Sequence, residues 1–358
     1  MTEGISGWQR PDWRDVPAPG DGPPSALAPR TPAPARDALD YALPLLPQPL
    51  PRAALAPAAG PTAPMTQAAR DAQVRASLDA FRQAMSAPYR TPEGIAWPGT
   101  PFQMMTRYLT QAASVAKNAA ALKLAVASAH LSGVEALELT TGRGSPEAIH
   151  AVTQALIDQG RLPPASAGTL DARVRTMMFN HGIGVDCAGY VQQAYLRVMH
   201  LDRAAAHFTR TDDDLSTLGA RGYTRITDLT SVRPGDLVLL GPPPGLRGEP
   251  GHRAIVYEQH LASAEELDEL RGHGRAGAKM AAAGPVRIVQ VDSSWGSGGD
   301  PLAGGVRRET WWHSDASGAW GWLMPHDPEG PASLETASTP IAHPFAPPFG
   351  IFRGASRQ

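Results

Sequence analysis

Residues 184–195 read GVDCAGYVQQAY, and the spacing of their apolar side chains decides the local fold. Apolar residues follow the cysteine at helical spacing: Tyr190, Val191, Ala194, Tyr195 and Val198. Cys187 is therefore predicted in the first turn of a helix. The unpaired backbone N–H groups and the dipole of a helix N-terminus favour a thiolate over a thiol, so we expect Cys187 to be reactive.

Cys187 is the only cysteine among the 358 residues. A lone cysteine forms neither an intrachain disulfide nor a cysteine-rich zinc site, which leaves two interpretations. One is a small buried hydrophobic side chain, and the other is a catalytic nucleophile. The sequence around Cys187 and the segments downstream of it favour the nucleophile.

Three short segments after Cys187 bear on its predicted role. The first is the Pro-Gly-Asp-Leu-Val run at 234–238, which reads as a turn entering a strand. The second is Gly-His-Arg-Ala-Ile-Val at 251–256, and the third is Val-Asp-Ser-Ser-Trp-Gly at 291–296. They place a histidine 65 residues after Cys187 (187 to 252) and an aspartate 40 residues further on (252 to 292).

These segments resemble the NlpC/P60 family of cell-wall cysteine peptidases. Asp-Cys-Ala-Gly-Tyr-Val at 186–191 is similar to that family's Asp-Cys-Ser-Gly-Phe-Val nucleophile motif, with Ala188 where the family usually has serine. The acidic residue and the Trp-Gly pair of the third segment are closer to CHAP amidases, which share the papain-like core. The resemblance covers roughly residues 165 to 325, and it implies a nucleophile helix packed on an antiparallel sheet.

The resemblance, together with general chemistry, implies a role for each site residue. Cys187 attacks an amide carbonyl, and its backbone N–H is a candidate oxyanion donor. His252 takes the thiol proton and later protonates the leaving amine. Asp292 holds the imidazole in the productive tautomer, with Gln290 on the same strand face as the alternative. Asp186 is predicted to be the N-cap of the helix rather than a catalytic group.

Composition and hydrophobic periodicity divide the chain into four parts. Residues 1–65 form a Pro/Ala-rich arm predicted to be disordered and extended. Residues 66–164 are predicted to be a helical region and residues 327–358 a Pro-rich tail. For residues 165–326 between them, the resemblance implies a catalytic domain. Helices followed by a run of strands indicate the α+β class.

The strand run begins at about residue 223 and alternates with Gly/Pro turns. The predicted strands are 236–240, 254–257, 286–291, 305–308 and 320–323. Between the second and third of these, residues 260–283 read as an inserted helix and loop.

Charge and hydropathy exclude several classes of partner. The net charge is -2 and the pI is about 6.6, which give no reason to expect a nucleic-acid groove. No run of 18 apolar residues spans a membrane, and no cofactor or metal motif is present. The first residues lack the pattern of a signal peptide, so we expect synthesis in the cytoplasm. The arm then suggests delivery by a phage or a secretion machine.

The sequence supports three functional hypotheses. The first, which the resemblance implies, is hydrolysis of an amide bond in peptidoglycan or a related peptide by Cys187. The second is acyl transfer or deamidation of a protein substrate by the same residues, because an amine as well as water resolves an acyl-enzyme. The third is a binding or structural module that keeps the fold and has lost catalysis.

Overall fold

The structure is a computed structural model of the chain. The residues that it describes are 65–98, 112–199, 223–240, 252–295, 302, 305–323, 334–337 and 350–354. The predicted disordered arm lies outside these residues, apart from its last position.

Four of the helices in the described residues lie within the predicted helical region 66–164. The described helices are α1 (Gln67–Ala84), α2 (Ala112–Ser128), α3 (Gly133–Thr140), α4 (Pro146–Asp158), α5 (Leu170–Asn180), α6 (Cys187–Val198), α7 (Ala264–Gly272) and α8 (Gly274–Ala282). A serine followed by proline is a sequence signal for a helix start. Here the hydroxyl of Ser145 caps α4, and Pro146 occupies its first position. The insertion at 260–283 forms the helical pair α7 and α8.

The strands form one hairpin and one large antiparallel sheet. They are β1 (Tyr89–Thr91), β2 (Gly94–Ala96), β3 (Thr224–Ile226), β4 (Leu237–Leu240), β5 (His252–Leu261), β6 (Val286–Trp295), β7 (Gly305–Ser314), β8 (Trp320–Leu323), β9 (Leu334–Ala337) and β10 (Gly350–Arg353). β1 pairs with β2, and the sheet order is β3-β10-β4-β5-β6-β7-β8-β9. This confirms the α+β class.

The two faces of the sheet bury different sets of side chains, because successive residues of a strand point to opposite faces. One face, here called the helix face, packs against α6 and the helices before it. Its buried strand residues are Leu237, Leu239, Ile255, Val306 and Phe352. The other, here called the tryptophan face, buries Val238, Ala254, Val256, Val289, Val291, Trp311 and Ile351.

The helices that precede Cys187 belong to the same compact unit as the sheet. Leu78 and Phe81 of α1 and Leu156 of α4 share one buried cluster with Tyr190 of α6 and Ile255 of β5. The predicted helical region therefore contributes directly to the core that holds α6.

The C-terminal residues depart from the prediction of a Pro-rich tail over 327–358. β9 extends the sheet at its far edge, and β10 lies between β3 and β4. Ile351 and Phe352 are 2% exposed, so β10 contributes to both faces of the core. Coil was expected because prolines surround these strands, and the partner strands that satisfy their backbone groups are distant in sequence.

Among the described residues, none of the helices has both the length and the apolar run needed to cross a membrane.

Candidate active site

Cys187 is the first residue of α6, as the sequence predicts. Asp186 caps the helix, its carboxylate accepting a hydrogen bond from the Gly189 N–H at 2.6 Å. The Asp186 N–H donates to the Gly142 carbonyl at 2.8 Å, which fixes the chain just before the cysteine. A Cβ at Gly189 would lie 2.1 Å from that same carbonyl oxygen, so only glycine permits this close approach.

The thiol of Cys187 lies against the start of β5, which begins at His252. The backbone N–H of Arg253 is within hydrogen-bonding reach of the sulfur. That N–H belongs to the peptide bond joining His252 to Arg253, so the structure brings Cys187 to the backbone of His252. The described pairing of β5 with β6 ends at Ile255 and Asp292. Arg253 is therefore outside the part of β5 that pairs with β6.

The imidazole of His252 is held by Ser293 of β6. His252 Nε2 and Ser293 Oγ are 2.8 Å apart, and both residues are buried. Ser293 Oγ also lies 2.8 Å from the Arg253 carbonyl oxygen. A carbonyl only accepts, so the single hydroxyl proton goes to Arg253 and Oγ accepts from Nε2–H. This arrangement favours the tautomer whose Nδ1 is free of a proton and able to act as a base.

Asp292, the predicted orienting residue, lies elsewhere. Its carboxylate accepts two hydrogen bonds from Arg308, at 2.7 and 2.9 Å. It is the cross-strand partner of Ile255, so it shares the helix face, whereas Ser293 alternates onto the tryptophan face. The structure therefore replaces Asp292 with Ser293 as the partner of the imidazole.

Gln290, the alternative orienting residue, pairs with Glu258, six residues beyond His252 on β5. At about 3.3 Å per strand residue, that separation is roughly 20 Å, which is too far for a hydrogen bond. Gln290 is therefore also excluded as the orienting residue in this structure.

The charges around Cys187 oppose the predicted thiolate. Burial and the Asp186 carboxylate raise the pKa of Cys187 to about 12, with the Arg253 N–H acting in the opposite direction. Burial, with a contribution from the Arg307 guanidinium, lowers the pKa of His252 to about 3. Burial raises the pKa of Asp186 itself to about 6, although its N-cap hydrogen bond and nearby arginines lower it.

At neutral pH the thiol and the imidazole are thus both neutral. The thiol is at the backbone of His252, while the imidazole lies with Ser293 on the tryptophan face, because His252 alternates with Arg253 and Ile255 along β5. The expectation of a preformed thiolate rested on the helix N-terminus, and burial together with the adjacent carboxylate outweighs that effect. Such a pair reacts if the proton leaves sulfur as the sulfur attacks, since the imidazole then serves as general base within the reacting complex.

Ser293 and Arg253 are the site residues that sequence reasoning missed. Alternation along β6 was a usable signal for Ser293, because the face of an orienting residue follows from its register with β5. That register contains an irregularity between Val256 and Glu258, which sequence periodicity does not reveal. Within the described residues, no group of three or more His, Cys, Asp or Glu side chains is placed to hold a metal ion.

Comparisons with protein-family models, curated proteins and solved structures give no match to this chain.

Proposed function

We propose that this protein is a cysteine-nucleophile hydrolase that cleaves an amide bond in peptidoglycan, as the resemblance of 186–191 and 251–256 to NlpC/P60 and CHAP enzymes implies. The observation that carries the proposal is the position of the Cys187 thiol. It lies at a helix start, against the peptide bond that follows His252, while Ser293 holds the imidazole.

The proposed reaction begins with a neutral thiol and a neutral imidazole. The step requires the imidazole of His252 to turn from the tryptophan face toward the thiol. Cys187 Sγ then attacks the amide carbonyl as its proton passes to Nδ1 of His252, and the carbonyl oxygen becomes an oxyanion. Backbone N–H groups at the start of α6 are the candidate donors to that oxyanion. The imidazolium then protonates the leaving amine, which leaves a thioester on Cys187. Water, deprotonated by the same imidazole, hydrolyses the thioester and restores the thiol.

Ser293 assists both proton transfers without taking part in them. Its hydroxyl keeps Nε2 protonated and Nδ1 available, as Asn does in other Cys-His sites. A neutral hydroxyl does not raise the pKa of the imidazole as a carboxylate would, which agrees with the low pKa of His252.

Digestion of purified peptidoglycan tests the proposal. The wild-type protein is expected to release fragments with new amine and carboxyl termini, identified by mass spectrometry. Cys187→Ala and His252→Ala are expected to release none, while keeping an unfolding temperature close to that of the wild type. An active Cys187→Ala protein would refute the assignment of the nucleophile.

The raised pKa of Cys187 favours a second candidate, a binding module without catalysis. Both candidates predict slow reaction of the free protein with iodoacetamide at pH 7, and the single cysteine makes that rate specific to Cys187. They differ with substrate present. A binding module would retain peptidoglycan in a pull-down and leave every fragment mass unchanged.

A further inference from the structure

One peptide unit immediately before the nucleophile is held at both of its polar ends. The peptide bond that joins Val185 to Asp186 carries the Val185 carbonyl and the Asp186 N–H. The N–H donates to the Gly142 carbonyl at 2.8 Å, and the carbonyl accepts from Ser294 Oγ at 2.8 Å. Gly142 follows α3 in the helical region, whereas Ser294 belongs to β6, so two separate parts of the fold hold this peptide unit.

The hydrogen bond from Ser294 is buried and joins distant segments of the chain. Ser294 and Val185 are both buried, and 109 residues separate them in sequence. The Val185 carbonyl comes before the N-cap of α6, so the hydrogen bonds within that helix do not reach it. Loss of the Ser294 hydroxyl would therefore take a donor away from a buried carbonyl, which is unfavourable.

Ser294 is also the neighbour of Ser293, and the two serines contact the two halves of the proposed site. On the tryptophan face, Ser293 Oγ lies 2.8 Å from His252 Nε2. Successive residues of a strand point to opposite faces, so Ser294 reaches the helix face, where α6 packs. Two adjacent residues of β6 thus bind the segment before Cys187 on one face and the imidazole of His252 on the other.

We infer that Ser294 is a positioning residue for Cys187, because its hydroxyl holds the Val185–Asp186 peptide unit against β6 and so fixes the nucleophile relative to the sheet. The inference rests on the proposed function and adds a residue to that same site. Ser294 acts through the backbone before Cys187 and not on the substrate. Its loss should therefore displace the sulfur and leave substrate binding intact.

Steady-state kinetics with soluble peptidoglycan fragments measure the effect of Ser294→Ala on catalysis. Misplacing a reacting atom by about 1 Å lowers a rate by up to about a hundredfold. We expect kcat to fall by about tenfold to a hundredfold, at a temperature where the variant is folded. KM should change less than about threefold, since the substituted hydroxyl acts on the backbone of the protein.

Ser314→Ala is the matched control. Ser314 is also a buried serine of the sheet, and its hydroxyl accepts a hydrogen bond from the Ser317 N–H at 3.3 Å. It pairs with Val286, at the opposite end of β6 from Ser294. Ser314→Ala therefore removes a buried hydroxyl far from the peptide unit before Cys187, and it should keep the wild-type kcat and KM.

Carbon-13 NMR of Cys187 separates this inference from the proposed function, because it needs no turnover. The chain contains one cysteine, so labelling of the cysteine Cβ gives a resonance from Cys187 alone. We expect this resonance to shift or broaden in Ser294→Ala and to stay at the wild-type position and width in Ser314→Ala.

The two measurements have distinct outcomes. A wild type without turnover would refute the proposed function and leave the NMR comparison to decide whether Ser294 fixes Cys187. A Cys187 resonance that is unchanged in Ser294→Ala, or equally changed in Ser314→Ala, would overturn the inference. So would a kcat of Ser294→Ala equal to that of an active wild type.

Discussion

Asp292 and Ser293 are neighbours in β6, yet they lie on opposite faces of the sheet and make unlike contacts. On the helix face, Asp292 binds Arg308, which also pairs with Asp79 of α1 at 3.0 Å. On the tryptophan face, Ser293 contacts His252 and donates to a backbone carbonyl. The charged residue holds the helix layer on the sheet, and the neutral hydroxyl orients the imidazole.

A carboxylate beside a predicted site residue in sequence can thus have a purely structural role. A one-residue step along a strand moves a side chain to the other face, so register decides which of two adjacent polar residues reaches the site. Asp292 is 0% exposed and belongs to a cluster in which Arg308 also stacks on the ring of Tyr257. Substitution of Asp292 and substitution of Ser293 should therefore have different effects on stability and activity.

The largest expected effect is the loss of stability in Asp292→Asn. Removing one partner of a buried ion pair leaves the charge of the other without its counter-ion, which lowers the free energy of unfolding by about 3 kcal/mol or more. We expect the free energy of unfolding in urea to fall by that amount. Because Asp292 does not touch His252, kcat measured at a temperature where the variant is folded should change less than threefold. A hundredfold fall in kcat with unchanged stability would assign Asp292 to catalysis.

A smaller effect is expected in the pH dependence of stability. His252 has a folded pKa of about 3 and an unfolded value of about 6.5, so only the unfolded chain takes up the proton between these values. The contribution of the neutral His252 to the free energy of unfolding is fully present above pH 6.5 and is lost as the pH falls toward 3. At one pKa unit per 1.36 kcal/mol, the loss from pH 7 to pH 5 is about 2 kcal/mol.

Asp186, whose pKa is raised by burial to about 6, acts in the opposite direction over part of this range. The wild type and His252→Asn both contain Asp186, so its contribution to the pH dependence of stability cancels in the difference between them. We expect the wild type to lose about 2 kcal/mol more than His252→Asn between pH 7 and pH 5, measured by chemical denaturation. Parallel curves for the two proteins would contradict a buried, neutral imidazole.

The smallest effect is expected for Ser293→Ala. Loss of the orienting hydrogen bond should lower kcat by about tenfold with KM little changed, since a general base contributes a hundredfold or more when well placed. Nitrogen-15 NMR of His252 should show the Nε2–H tautomer in the wild type and a mixture of tautomers in Ser293→Ala.

Ser294→Ala is the matched control for Ser293→Ala. Ser294 is also 0% exposed, but its hydroxyl donates to the Val185 carbonyl at 2.8 Å on the other side of the strand. It should lose about 1 kcal/mol of stability and keep the tautomer of His252. A mixture of His252 tautomers in Ser294→Ala, with a single tautomer in Ser293→Ala, would show that Ser294 and not Ser293 orients the imidazole.

Much of the local structure could be predicted from the sequence because the signals are local. The spacing after Cys187 and the N-cap at Asp186 predict α6, and Ser145 with Pro146 predicts the start of α4. The sheet strands at 236–240 and 286–291 follow from alternation and turn residues.

The features that sequence reasoning missed depend on contacts between distant segments. β10 lies among Pro-rich residues, and only its pairing with β3 and β4 shows that it belongs to the sheet. The partner of His252 depends on the register of β6, and the neutral state of Cys187 depends on burial beside Asp186. Apart from the charge of Asp186, none of these depends on residues that are neighbours in sequence.

Intact-mass spectrometry of acid-quenched reactions with peptidoglycan fragments would show whether Cys187 becomes acylated during turnover, as the proposed mechanism requires. We expect a substrate-derived mass increase on wild-type protein that maps to Cys187, is removed by hydroxylamine and is absent in Cys187→Ala. Product formation with no adduct on Cys187, and equal product from Cys187→Ala, would contradict the mechanism.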